Sequence, residues 1–348
     1  MKNSKYIWIL LFALLLCSCS NELVSSGSSM QKTQMSQSLD NEDNTSNVIQ
    51  YSVGSVQNMG IVNQHDPDTN IKYTWFSFIP RSIRLGVDGN PVQILLVCAN
   101  ATMSDEYESA IQEMYGCIQG RSEWAEKYGY VLITPVIPRD LQTPIYAVAF
   151  DKRVFTNVDI FFQRPDLEVV KMIEVMKEAL INSEVEVKEK IFIEGFSAGG
   201  MFAQRFALLH PEMVQAIAVG QCGGALTLPV EEYNGVSMDW PLGIRDFSDL
   251  TGSPFNLEAY RQIAQYIYIG GKDNSNSTVH YGNEIWSDSQ VDVLNLFGDT
   301  DPKRIQTQVE YMNSLGFTNI QFALYPGYKH EYHDDQIADL FAFFEENK

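Results

Sequence analysis

The feature that most constrains this 348-residue chain is one passage, Ile191-Phe192-Ile193-Glu194-Gly195-Phe196-Ser197-Ala198-Gly199-Gly200-Met201-Phe202-Ala203. A β-rich run, Lys190 to Glu194, enters a turn bounded by glycines. It leaves as a helix, Ala198 to Leu209, which Pro211 stops. Parallel strands need crossover connections, usually helical, so a strand that turns directly into a helix points to a parallel sheet covered by helices.

The rest of the chain keeps that alternation. Val48 to Val56 and Tyr73 to Ile79 read as early antiparallel strands, the second ending at Pro80. Val92 to Ala99 and Val131 to Val136 are almost continuously apolar, as expected of central strands buried on both faces. Arg164 to Asn182 reads as a helix: Pro165 and Asp166 suit its first turn, and Val169, Ile173, Met176 and Leu180 share one face. Gln215 to Val219, Gln265 to Ile269 and Ile320 to Tyr325 supply three more strands, and Ile337, Leu340, Phe341 and Phe344 mark a closing amphipathic helix. The expected class is α/β, a mostly parallel central sheet flanked by helices, in a single domain over residues 50–348. Residues 223–260, with Pro229, Tyr233, Trp240 and Pro241, break the alternation after the sixth strand. They are expected to form an irregular insertion, either a cap over the site or a surface excursion.

The N-terminus carries an address rather than structure. Lys2 and Lys5 precede the apolar run Tyr6 to Leu16, which is shorter than the roughly 20 residues a membrane-spanning helix needs. Leu16-Cys17-Ser18-Cys19 resembles the lipobox of bacterial lipoproteins, with an aliphatic residue three positions before Cys19 and a small residue just before it. The resemblance implies a signal peptide over residues 1–18, lipidation of Cys19, and a place in the bacterial cell envelope outside the cytoplasmic membrane. An ordinary secretory signal is the alternative. Residues 19–49, rich in Ser, Asn, Gln and Asp, read as a flexible tether. A formal net charge of −20 argues against nucleic acid and anionic headgroups as partners. Cys98, Cys117 and Cys222 allow at most one disulfide, and the sequence does not choose the pair.

Ser197 sits where a sharp turn lifts a hydroxyl to the N-terminus of a helix, and there the amide of Ala198 can donate to a developing oxyanion. A serine hydroxyl is a weak nucleophile without a base, and the base needs an acid to orient it. His330, in the loop Tyr325-Pro326-Gly327-Tyr328-Lys329-His330-Glu331 between the last strand and the final helix, is the first candidate for the base. His333 is the second and His280, in a polar loop, the third. His65 and His210 read as a loop and a helix-end residue. The acid candidates are Asp273, at the end of Tyr266-Ile267-Tyr268-Ile269-Gly270-Gly271-Lys272-Asp273, and Asp301, which follows the apolar stretch Val293 to Phe297 and precedes a helix from Lys303 to Leu315. A second oxyanion donor is expected in the turn after Val92 to Ala99, at Asn100 or Ala101.

Gly195 to Gly199, Gly271 to Asp273 and Gly327 to Glu331 resemble the three signature regions of the α/β-hydrolase superfamily, and their order covers the chain from about residue 90 to its end. Within that superfamily the chain is most similar to secreted esterases of the polyhydroxybutyrate depolymerase and feruloyl esterase type. The resemblance implies an enzyme with Ser197 as nucleophile, Asp273 as acid and His330 as base. It would hydrolyse a small-molecule or polymer-borne carboxylic ester through an acyl-enzyme, with no cofactor and no metal. One departure stands out: Ala99-Asn100-Ala101 occupies the place where such esterases commonly carry His-Gly. A serine peptidase of the same fold, and a hydrolase-fold binding protein without activity, are the alternatives. His330-Glu331-Tyr332-His333 lacks the spacing of a zinc helix, and Asp299-Thr300-Asp301 lacks that of a calcium loop.

Overall fold

Eight β-forming runs pair into one sheet in the computed structural model, which describes residues 56–60, 71–81, 83, 90–99, 107–137, 139–140, 145–146, 149–156, 159–274 and 288–348. The strands are β1 (Val56–Gly60), β2 (Trp75–Phe78), β3 (Gln93–Cys98), β4 (Tyr130–Pro135), β5 (Ile191–Phe196), β6 (Val214–Gly220), β7 (Ala264–Gly270) and β8 (Ile320–Tyr325). Their spatial order is β1-β2-β4-β3-β5-β6-β7-β8. β2 runs antiparallel to both β1 and β4, and every other neighbouring pair is parallel. The observed strands match the sequence pattern to within two residues at most ends. The first is the exception, overlapping its expected range only at Val56, with residues 48–55 outside the described residues.

Because successive side chains of a strand point to opposite faces, the central strands feed two cores. On one face Ile94, Leu96, Ile133, Ile191, Ile193 and Ile217 pack against helices α2 (Pro165–Asn182) and α3 (Ala198–Leu209). On the other, Leu95, Leu132, Phe192, Ala218 and Tyr266 pack against α1 (Tyr107–Tyr128) and α6 (Asp334–Glu346). The predicted stripe of α2, Val169, Ile173, Met176 and Leu180, is buried throughout. Two further helices, α4 (Asp288–Phe297) and α5 (Asp301–Ser314), lie between β7 and β8 in the chain. The apolar stretch Val293 to Phe297 is thus the end of a helix. No helix among the described residues is long and apolar enough to cross a membrane.

Nothing in the sequence pattern draws attention to α1, the longest helix described. Its buried stripe is Ala110, Met114, Ile118, Arg121 and Ala125. A guanidinium interrupts the apolar periodicity, and only the fold supplies the partner that makes its burial tolerable.

Residues 223–260 are irregular, and parts of them are built into the core. Leu226, Leu228, Met238, Trp240 and Leu242 are buried in the same cluster as α2 and α3. Two glutamines each clamp the segment by the N–H and the carbonyl of one residue. Gln204 of α3 accepts from Thr227 N–H at 2.8 Å and donates to its carbonyl at 3.1 Å. Gln308 of α5 does the same to Leu226, at 2.8 and 3.1 Å. Trp240 Nε1–H donates to the Phe150 carbonyl at 2.8 Å. The stretch to Val230 is thus held in the fold, while residues 231–237 and 248–259 are exposed or half-buried.

Candidate active site

β5 ends at Phe196 and α3 begins at Ala198, so Ser197 alone carries the change of direction. Its φ of 57° and ψ of −124° lie in a region that costs a non-glycine residue energy. The surroundings hold it there: Ser197 N–H donates to the Gly220 carbonyl at 2.8 Å, and Met201 N–H donates to the Ser197 carbonyl at 3.1 Å. A side chain at Gly195 would run into the carbonyl of Gly199, and one at Gly199 into the carbonyl of Cys98 on β3. The two glycines of the motif therefore serve the closure of the turn and its approach to the neighbouring strand. Ala198 opens α3, and the first four amides of a helix have no acceptor within it. Negative charge is favoured at that end.

β7 and β8 are paired in register up to Gly270 and Tyr325, so the loops leaving them are neighbours. They are laced together: Gly271 N–H donates to the Tyr325 carbonyl at 2.7 Å and Lys272 N–H to the Tyr328 carbonyl at 2.8 Å. This contact brings Asp273, 4% exposed, against His330. Asp273 Oδ2 lies 2.8 Å from His330 Nδ1, and His330 Nε2 lies 2.9 Å from Ser197 Oγ. An imidazole that donates Nδ1–H to a carboxylate presents a lone pair at Nε2, which can accept the serine proton. The His330 ring also packs 5.2 Å, centre to centre, from Phe196, the residue before Ser197.

The other candidates stand elsewhere. His333 opens α6, stacks on Tyr328 at 3.8 Å, and has its Nε2 3.2 Å from Glu331, whose carboxyl it helps hold below the usual range. Asp301 is buried at the start of α5 and paired with Arg304, which also donates to the carbonyls of Gly224 at 3.0 Å and Gly298 at 3.1 Å. That arrangement is a helix start locked to the neighbouring loop. His210 is more than a helix-end residue: its Nε2 bonds Asp166 Oδ2 at 2.8 Å. Cys19, His65, Asn100, Ala101 and His280 lie outside the described residues. Cys98, Cys117 and Cys222 form no disulfide, and burial pushes the Cys222 thiol up to about 12. Among the described residues no group of three His, Cys, Asp or Glu side chains is placed to hold a metal ion.

Four residues around the site escape a sequence reading: Arg121, Glu194, Gln221 and Tyr332. Arg121 Nε–H donates to Glu194 Oε1 at 2.6 Å, and Tyr332 O–H donates to Glu194 Oε2 at 3.3 Å. The guanidinium carbon stands 4.5 Å from the Tyr332 ring centre. Gln221, in a left-handed conformation with φ of 43°, donates from Nε2 to the Glu331 carbonyl at 3.1 Å. One signal was available, because Glu194 is a carboxylate in an otherwise apolar central strand.

No protein-family model matches the sequence, and no curated protein matches it. Solved structures do. The chain is similar to a poly(3-hydroxybutyrate) depolymerase from Bordetella parapertussis, at 15% identity and a TM-score of 0.54, over 84% of this chain and 91% of that one. It is also similar to poly(aspartic acid) hydrolase-1 from Sphingomonas sp. KT-1, at 16% identity and a TM-score of 0.50, over 78% of this chain and 92% of that one. At such identities the likeness is one of fold: this chain has the α/β-hydrolase fold.

Proposed function

We propose that this protein is a serine hydrolase acting on carboxylic esters, and the observation that carries the proposal is the unbroken contact from Ser197 Oγ through His330 to Asp273. His330 takes the serine proton as Ser197 attacks the ester carbonyl, and Asp273 fixes the ring and balances the imidazolium that forms. The amide of Ala198, with Asn100 or Ala101 as the second donor, stabilises the oxyanion. His330 then protonates the leaving alcohol, and water releases the acyl group by the same route. The depolymerase likeness supports ester chemistry, since the polymer in that protein's name is a polyester, while the polymer in the hydrolase's name is a polyamide, so a peptide p-nitroanilide assayed beside the ester tests the peptidase alternative. In the same reading Cys19 is lipidated after removal of residues 1–18, and residues 19–49 tether the hydrolase outside the cytoplasmic membrane of a bacterium.

The full chain, purified in mild detergent, should be labelled by a fluorophosphonate at Ser197 and should hydrolyse p-nitrophenyl butyrate, and Ser197→Ala should do neither. If wild type and Ser197→Ala are equally inert while folded, the hydrolase reading is lost in favour of a binding protein. Acyl incorporation that persists in Cys19→Ala would refute the anchor.

A further inference from the structure

The three segments that bring Ser197, His330 and Asp273 together share a second, buried meeting point. Glu194 lies three residues before Ser197 on β5, Tyr332 two residues after His330, and Tyr268 five residues before Asp273 on β7. Tyr268 sits in the buried cluster against which Tyr332 packs, Tyr332 donates to Glu194, and Arg121 of α1 pairs with Glu194 from the other side. The Glu194 side chain is 2% exposed and that of Arg121 11%. Removing two charges from water is costly, and an apolar pair of similar volume would serve a core as well, so such a pair earns its place through the geometry it imposes. Here that geometry is specific. The Tyr332 ring is held by the guanidinium on its face and by the carboxylate at its hydroxyl, and it packs 4.8 Å from Phe196. Glu331, the single residue between Tyr332 and His330, has its carbonyl held by Gln221.

We infer that Arg121, Glu194 and Tyr332 form a positioning unit that sets the height of the His330 imidazole above Ser197, an inference that rests on the hydrolase reading above. One carboxylate then references both the nucleophile's strand and the base's loop. The placement of His330 Nε2 against Ser197 Oγ is transmitted through Glu194 and Tyr332 rather than left to a loop that stands partly in solvent. None of the three touches the reacting atoms. Their loss should slow the acyl-transfer step and leave ester binding as it was.

The test uses the full chain and three readouts: the rate of fluorophosphonate labelling at Ser197, kcat and KM for p-nitrophenyl butyrate, and the low-field proton resonance of the His330–Asp273 hydrogen bond. Tyr332→Phe keeps the ring and removes the donor. It should label about tenfold more slowly, with kcat reduced by a similar factor and KM unchanged, and its low-field resonance should broaden. Glu194→Gln should reproduce that pattern. Wild-type labelling rates in folded Tyr332→Phe and Glu194→Gln overturn the positioning unit and leave the hydrolase reading intact. A folded wild type that does not label overturns the hydrolase reading, and this inference with it. Should both variants fail to fold, Arg121→Lys, which keeps a positive charge beside Glu194 but withdraws the planar guanidinium from the Tyr332 ring, decides: about threefold slower labelling supports the unit, and an unchanged rate overturns it.

Discussion

Two histidines in this protein each stand 2.8 Å from a buried aspartate, and their surroundings make them different devices. Asp166 is shared. Arg164 donates to it with two nitrogens, at 2.9 and 2.7 Å, and His210 with one. Burial pushes the Asp166 carboxyl up, but these hydrogen bonds outweigh it and hold the group below the ordinary range. The His210 ring packs 4.8 Å from Phe206, so the pair ties the end of α3 to the start of α2. His330, by contrast, bonds Asp273 through Nδ1 and has its second nitrogen on Ser197. An imidazole against a carboxylate is therefore not by itself a sign of chemistry. What the other ring nitrogen faces decides the role.

The largest effect should separate the two pairs outright. His330→Ala should lower kcat/KM for p-nitrophenyl butyrate by roughly 10^4-fold or more, whereas His210→Ala should leave it within about twofold in folded protein. Equal losses in the two variants would break the distinction.

The same contrast applies to the two buried acids, Asp273 and Asp301, that the sequence offers for one role. Asp273→Asn should cost roughly 10^3- to 10^4-fold in kcat by offering the imidazole the wrong partner. Asp301→Asn should spare the rate per folded molecule. It should instead lower stability in denaturant melts by about 3 kcal/mol, because Arg304 would be left buried without its counter-charge.

Asp166→Asn should destabilise the fold by about 2 kcal/mol, read from urea midpoints, with little change in rate. Its pH dependence has a definite sign. A carboxyl held below its unfolded value lends stability that is fully present above the unfolded pKa, near 3.8. That stability is lost as pH falls from there through the folded value. Wild type should therefore lose stability more steeply than Asp166→Asn below about pH 4, and parallel acid limbs would remove Asp166 from the account. The smallest effect is expected at His333, which opens α6: His333→Ala should cost about 1 kcal/mol or less and leave hydrolysis unchanged.

The strands and the Ser197 turn were legible because their signals are local. A buried parallel strand is apolar on both faces, as Val92 to Ala99 is, and a turn too tight for Cβ atoms writes glycines at fixed offsets, as at Gly195 and Gly199. α1 was not legible, since its stripe includes Arg121 and the compensation for that charge comes from a residue 73 positions away in the chain. Residues 223–260 read correctly as an irregular insertion, but how much of it is buried was not legible, for a related reason. Segments without periodicity look like loops, yet side-chain amides on α3 and α5 satisfy the backbone of Leu226 and Thr227 and let that stretch be buried.

By itself, then, the sequence determined the α/β alternation, the position of the sharp turn, and the short lists of acids and histidines from which a site could be assembled. Only the tertiary structure decided which of them meet. Asp273 reaches His330 because β7 and β8 are neighbours in register, while Asp301 is held at a helix start by an arginine on the next turn. Propensity and periodicity record what a residue needs from its nearest neighbours along the chain. The 2.8 and 2.9 Å contacts around His330 depend on strand order, which records what segments more than fifty residues apart can bury together.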